Sequence, residues 1–80
     1  MSQEIDFSFE EYYAAVKKSL MGLLKYLSED EAEEYLQSEI TGIRGDYEDA
    51  LEEYKRGEVP IGYLKVGGPA TVAYDMAMSY

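Results

Sequence analysis

Twice in this chain a serine is followed three residues later by a glutamate and then by an apolar series at helical spacing. Ser8 and Glu11 open the first, Ser28 and Glu31 the second. In this spacing the serine hydroxyl can accept from the glutamate amide while the glutamate side chain reaches back to the cap amide, so it marks a helix start. After Ser8, the residues Phe9, Tyr13, Val16, Leu20, Leu23 and Leu27 recur at alternating steps of four and three. After Ser28 come Ala32, Leu36, Ile40, Ile43, Tyr47, Leu51 and Tyr54. Such steps draw one stripe along a 3.6-residue helix and scatter over both faces of a strand. A chain with two such stripes has to bury them helix against helix.

The spacing predicts helices over about 8–27, 29–56 and 61–79. Phe7 precedes the first cap and is placed to staple back onto the first turn. Gly42 and Gly45 lie inside the second series, each weakening a helix by about 1 kcal/mol relative to alanine. The second unit is therefore expected to bend near 42–45, or to break there into two. Lys55 and Arg56 suit a helix C-terminus, and Gly57 a stop. Pro60 can open the last unit, and Gly67-Gly68-Pro69 should interrupt it at 67–69, since a proline disfavours α geometry in the residue before it. Ala70, Ala73 and Ala77 offer a face for close helix approach. A strand at 62–66 would have no partner. The expectation is an all-α bundle of three helices, four if the middle one breaks, forming a single domain over 1–80. Val16, Leu20, Leu23, Leu36, Ile40 and Leu51 are the expected core between the first two units.

Composition narrows the function. Seventeen acids against seven bases give a net charge of −10, which disfavours direct binding to nucleic acid or anionic lipid. With no cysteine and no histidine, thiolate chemistry, disulfides and the usual near-neutral acid–base group are absent. The opening "MSQEIDFSF" lacks the basic and apolar regions of a secretory leader, and no apolar run approaches the roughly 20 residues of a membrane span. The reading is a cytoplasmic, non-enzymatic protein without a cofactor or metal.

The charge is concentrated. Residues 1–28 hold four acids and three bases, residues 29–53 eleven acids and one base, and residues 54–80 two acids and three bases. The middle segment alone thus carries −10. On a helical wheel Asp30, Glu31, Glu34, Glu48, Asp49 and Glu52 fall opposite the apolar stripe. Twenty-five helical residues rise about 37 Å, so these acids average roughly one per 3.4 Å, close to the phosphate interval along one DNA strand. Nine tyrosines accompany them. Tyr13, Tyr47 and Tyr54 lie in the stripes. Tyr12, Tyr26, Tyr35, Tyr63, Tyr74 and Tyr80 are too many to bury in so small a domain, and tyrosine suits interfaces. Asp30, Glu31, Glu34, Glu48, Asp49, Glu52, Tyr35, Tyr63 and Tyr74 are the candidate partner-binding residues.

Known motifs fit poorly. Length, acidity and helicity resemble an acyl carrier protein, but its Asp-Ser-Leu is replaced by Lys18-Ser19-Leu20 inside the first helix. "GDYEDALEEY" lacks the ligand order of an EF-hand loop. Arg44-Gly45-Asp46 spells an integrin tripeptide with no extracellular context. Gly67-Gly68-Pro69 lacks the lysine and spacing of a phosphate loop. The order "YYAAVKKSLM…SEDEAEEYL…YEDALEEYKRGE…GGPATVAYDMAMSY" resembles small acidic helical proteins of phages and mobile elements in Gram-positive gut bacteria. That resemblance brings no site residues. It implies a protein that modulates another protein, as small acidic anti-CRISPR and anti-restriction inhibitors do, some by mimicking nucleic acid. Two expectations result. One is an acidic helical inhibitor or adaptor whose carboxylate face docks on a basic, nucleic-acid-binding protein. The alternative is a homodimer or other homo-oligomer whose acids only solvate it.

Overall fold

The computed structural model describes residues 7–80. The reading of the N-terminal segment as no secretory leader therefore lies, for residues 1–6, outside the described residues. Among the described residues the fold is all helical: α1 (Phe9–Leu23), α2 (Glu29–Ser38), α3 (Ile40–Lys55), a π-helical turn (Tyr63–Gly67) and α4 (Gly68–Ser79). Among the described residues no helix is long and apolar enough to cross a membrane.

The caps behave as their chemistry dictates. The Ser28 hydroxyl accepts from the Glu31 amide at 3.1 Å, and the Glu31 carboxylate accepts from the Ser28 amide at 2.9 Å. At Ser8 only the hydroxyl half forms, accepting from the Glu11 amide at 3.3 Å. Phe7 does staple, packing edge-on against Tyr12 with ring centroids 6.3 Å apart. Gly57 takes φ +77 and ends α3 in a Schellman pair: the Glu58 amide donates to the Glu53 carbonyl and the Gly57 amide to the Tyr54 carbonyl.

Three boundaries differ from the sequence reading. First, α1 stops at Leu23, four residues early, and the chain leaves through Leu24 at φ −109, ψ 74. Leaving the helix there lets Leu24 and Leu27 both turn inward, whereas Leu23 is exposed. Second, the middle unit does break into two helices, but at Glu39 and not at 42–45. The Ser38 hydroxyl donates to the Tyr35 carbonyl at 2.6 Å, and the Glu39 amide reaches Leu36. These local bonds tighten the last turn and end α2. Gly42 and Gly45 are ordinary α residues with nothing near their missing side chains, so no contact bends the helix at them. Third, the chain is helical through 67–69. Gly67 and Gly68 are both in αR geometry, and the Gly68 amide donates to the Tyr63 carbonyl, five residues back. The wider turn makes room for the Pro69 ring, which an α turn would press against the carbonyl four residues before it. Glycine is favoured at 68, since a Cβ would stand 3.1 Å from the Tyr63 carbonyl oxygen, a tight contact.

Side-chain contacts give the topology. Tyr13 meets Glu33 and Gln37, and Lys17 meets Glu29 and Glu33, so α2 runs antiparallel to α1. Tyr47 lies on Phe7, Phe9 and Tyr12, so α3 carries on past the start of α1. Tyr12 touches the Gly68 site and Tyr26 stacks near Tyr80, so α4 runs parallel to α1. The molecule measures 45 × 17 × 16 Å, as expected for a long α2–α3 arm carrying two shorter rods.

The closest helix pair is α1 with α4. Ala73 is fully buried there and Ala77 half-buried, while Ala70 is exposed. Because α1 packs against both the arm and α4, its buried line runs Tyr12, Val16, Leu20, Leu24, Leu27, rotated from the stripe read in the sequence. Of the expected core, Val16, Leu20 and Leu36 are fully buried, Ile40 and Leu51 half-buried, and Leu23 exposed.

Candidate functional site: an acidic groove between α3 and α4

The expected carboxylates Asp30, Glu31, Glu34, Glu48, Asp49 and Glu52 are all exposed. They do not form one continuous face, because the break at Glu39 divides them. Glu31 and Glu34 border a shallow depression of about 250 Å³ with Tyr35, Ser38 and Tyr80. Asp49 and Tyr63 line a separate cleft of about 260 Å³ between α3 and α4, together with Tyr12, Asp46, Glu53 and Asp75. Asp30, Glu48, Glu52 and Tyr74 line neither.

On the α2 side the acids already have work. Glu31 closes the capping box, and its amide and hydroxyl donors at Ser28 hold its carboxyl below the usual range. Glu33 accepts from the Tyr13 hydroxyl at 2.7 Å and from Gln37 at 3.1 Å, and pairs with Lys17 at 3.2 Å. Led by the Tyr13 bond, these partners lower its pKa, and the Glu33 bond raises that of Lys17. Tyr35, expected as a contact residue, is half-buried and donates its hydroxyl to the Met76 carbonyl at 2.7 Å. It is a strut between α2 and α4, and burial, followed by the charge of Glu39 and the neighbouring Tyr80, pushes its hydroxyl pKa up.

The α3–α4 side is different. Asp46, Asp49 and Glu53 follow one another down one face of α3, and Asp75 faces them from α4. A smaller depression of about 110 Å³ also contains Asp46 and Asp75 and reaches Glu39. Among the described residues no lysine or arginine lines either space. Arg44, the one base in 29–53, has its guanidinium 4.1 Å above the Phe9 ring. Asp46 is pushed above the usual carboxylate range, first by the loss of water against the groove wall and then by repulsion from Asp49 and Asp75. Glu52, on another face of α3, is paired with Arg56 at 2.8 Å.

Tyr12 forms the floor. Only 1% of its surface is accessible, yet its hydroxyl bonds to no other group among the described residues and is not sealed from solvent. Burial, and next the charge of Asp46, push its pKa far up, so it is a neutral O–H donor. The sequence reading placed Tyr12 among the tyrosines left over for interfaces and did not single out Asp46, Glu53 or Asp75. The i, i+3, i+7 spacing of Asp46, Asp49 and Glu53 was a legible signal for a second acidic line. Asp75 was reachable only through the tertiary fold. The carboxylates flank the cleft without converging, and no group of three or more among the described residues is placed to hold a metal ion. Compared with protein-family models, curated proteins and solved structures, the chain has no match.

Proposed function

We propose that this protein is a non-enzymatic binding module, an acidic helical inhibitor or adaptor that docks on a basic protein through the α2–α3 arm and the groove beside it. The observation that carries the reading is an anionic surface left uncompensated within the chain: Asp30, Glu34, Glu48, Asp49, Asp46 and Asp75 form no ion pair among the described residues. An acidic surface of this density attracts lysines and arginines over several ångströms and steers encounter. The basic partner is a nucleic-acid-binding protein, whose cationic surface the arm occupies as a nucleic acid would. The resemblance to phage and mobile-element proteins belongs to the same proposal, and the cytoplasm is the matching compartment.

The test needs a variant that keeps the fold. Glu31 caps α2 and Glu52 holds Arg56, so both are left alone. Asp30, Glu34, Glu48 and Asp49 are changed together to lysine and binding is measured against a basic partner recovered by affinity capture, across a salt series. The expected result is slower association and a shallower salt dependence for the variant. A folded variant with unchanged affinity and salt slope would show that the acids only solvate the protein.

A homo-oligomer is the second reading. It draws on apolar side chains left in water at one end of α1 and α4: Tyr26 and Met78 are 75% and 72% exposed, with Leu23 and Tyr80 about half exposed. Sedimentation as a dimer at low micromolar concentration, insensitive to salt, would favour it over the first.

A further inference from the structure

The α3–α4 cleft, part of the surface that the binding-module reading uses, combines three features that narrow what can occupy it. Its walls carry Asp46, Asp49, Glu53 and Asp75 with no cation among them. Its floor is a 99%-buried tyrosine whose hydroxyl has no partner among the described residues and opens into the space. The rings of Tyr12 and Tyr63 border it. The hydroxyl bonds to no other described group, so its oxygen is free to accept from a donor that enters the cleft. The occupant must be cationic to answer the carboxylates. A bare metal ion does not suit a set of oxygens that flank the space without converging. A neutral or anionic ligand would meet repulsion or uncompensated charge.

A guanidinium satisfies all three. It is planar and permanently charged, presents five N–H donors in a fixed fork, and stacks on aromatic faces. Carboxylates on both walls can accept from it at once, the Tyr12 hydroxyl oxygen can accept from its leading edge, and Tyr63 offers a π face. About 260 Å³ is below the size of a drug-like pocket and suits a single long side chain. We propose that the cleft between α3 and α4 is a guanidinium pocket, held by Asp46, Asp49, Glu53 and Asp75 over the Tyr12 hydroxyl, that receives one arginine side chain of the basic partner. The inference rests on the binding-module reading and names the contact at which that partner is held.

The pocket can be tested without the partner. N-acetylarginine amide is titrated into the ¹⁵N-labelled full chain, following the amides of Gly68, Thr71 and Asp46, with N-acetyllysine amide and spermidine as parallel probes. Saturable shifts at these amides, strongest for the arginine probe, are expected. Asp46→Asn with Asp75→Asn should weaken its Kd roughly tenfold, the loss of a charge-assisted hydrogen bond or two. Tyr12→Phe should weaken it about threefold without lowering the melting temperature, because the hydroxyl has no bond in the free protein to lose. Glu10→Gln with Glu11→Gln, exposed on α1 and outside the cleft lining, should leave Kd unchanged. Equal weakening by that distant pair would reduce the effect to general charge and overturn the pocket. Tighter binding of spermidine at the same amides would overturn the guanidinium assignment, and absence of any saturable shift would overturn the site altogether. The two proposals separate at the partner. If partner binding is lost in the four-lysine variant but unaffected by Tyr12→Phe and Asp46→Asn/Asp75→Asn, the module reading stands and the pocket falls. If the arginine probe binds as described while no basic partner is bound, the pocket stands and the module reading falls.

Discussion

The first turns of α2 and the groove between α3 and α4 are both crowded with carboxylates, and the fold treats them in opposite ways. At α2 the acids sit where positive groups await them. Glu31 has the Ser28 amide and hydroxyl, and Glu29 and Glu33 have Lys17, Tyr13 and Gln37. The helix dipole adds a favourable end. In the groove, Asp46, Asp49, Glu53 and Asp75 share the walls with Tyr12, Tyr63, Thr71 and apolar residues, with no lysine or arginine among the described lining. The charged forms of Glu31 and Glu33 are favoured by their partners, whereas that of Asp46 is disfavoured by lost water and by repulsion from Asp49 and Asp75. Charge count alone does not mark function. A cluster that the fold leaves repelling itself is the better candidate for a surface that awaits a partner.

The two clusters share one core, and the largest effect should come from breaking it. Leu20 is fully buried in the C-terminal part of α1 and belongs to that core. Leu20→Ala should cost about 2–5 kcal/mol, and both regions should melt in a single transition by circular dichroism and by tyrosine fluorescence. Separate transitions would mean that the two clusters belong to independently stable parts.

A smaller effect should fall on the groove. Gly68 lines the cleft and permits the π-helical turn that sets Tyr63 against α3. Gly68→Ala places a methyl against a backbone carbonyl that has little room to give, and should cost about 1–3 kcal/mol, the usual range for overpacking. Chemical shifts of Tyr63 and Asp49 should move while those of Glu31 and Glu33 stay. In contrast, Gly45→Ala adds its methyl to open space inside α3 and should stabilise by roughly 0.5–1 kcal/mol. A loss of stability at Gly45 would show that the glycine supports a bend after all.

This pair of glycines also shows what was legible. Helix starts at Ser8 and Ser28 and the stop at Gly57 depend on bonds within a few residues, so local chemistry specified them. The break at Glu39 depends on the Ser38 hydroxyl choosing the Tyr35 carbonyl, one of several competing options that a serine has near a helix end. Gly42 and Gly45 pointed to the wrong place, since a glycine lowers the cost of a bend without supplying a reason for one. Gly67-Gly68-Pro69 reads as a break, and a π-helical turn is the one geometry that keeps the chain helical through it. For the site, exposure of the six expected acids followed from the wheel. Burial of Tyr12 did not, because it needs α4 laid parallel to α1, an arrangement set by contacts far apart in sequence.

The smallest effect is the sharpest test, because its sign differs between the clusters. Glu33 has its pKa lowered from an ordinary 4.5 by Tyr13, Lys17 and Gln37. Its contribution is therefore present above pH 4.5 and lost as pH falls through its lower folded value, where the carboxyl takes up a proton that weakens these bonds. Asp46 has its pKa raised above 3.8, so the folded state binds the proton more tightly than the unfolded one. Stability from this group falls as pH rises from 3.8 through the raised value, and above it the charged carboxylate is a standing penalty. At neutral pH Glu33→Gln should lower the melting temperature and Asp46→Asn should raise it. As the pH falls through the raised value of Asp46 the Asp46→Asn gain should vanish, and as it falls through the lowered value of Glu33 the Glu33→Gln loss should vanish. Thermal melts of the two variants and the parent at half-unit pH steps measure this directly. Two melting shifts of the same sign at neutral pH would mean that the groove is not self-repelling, and would remove the physical reason for treating it differently from α2.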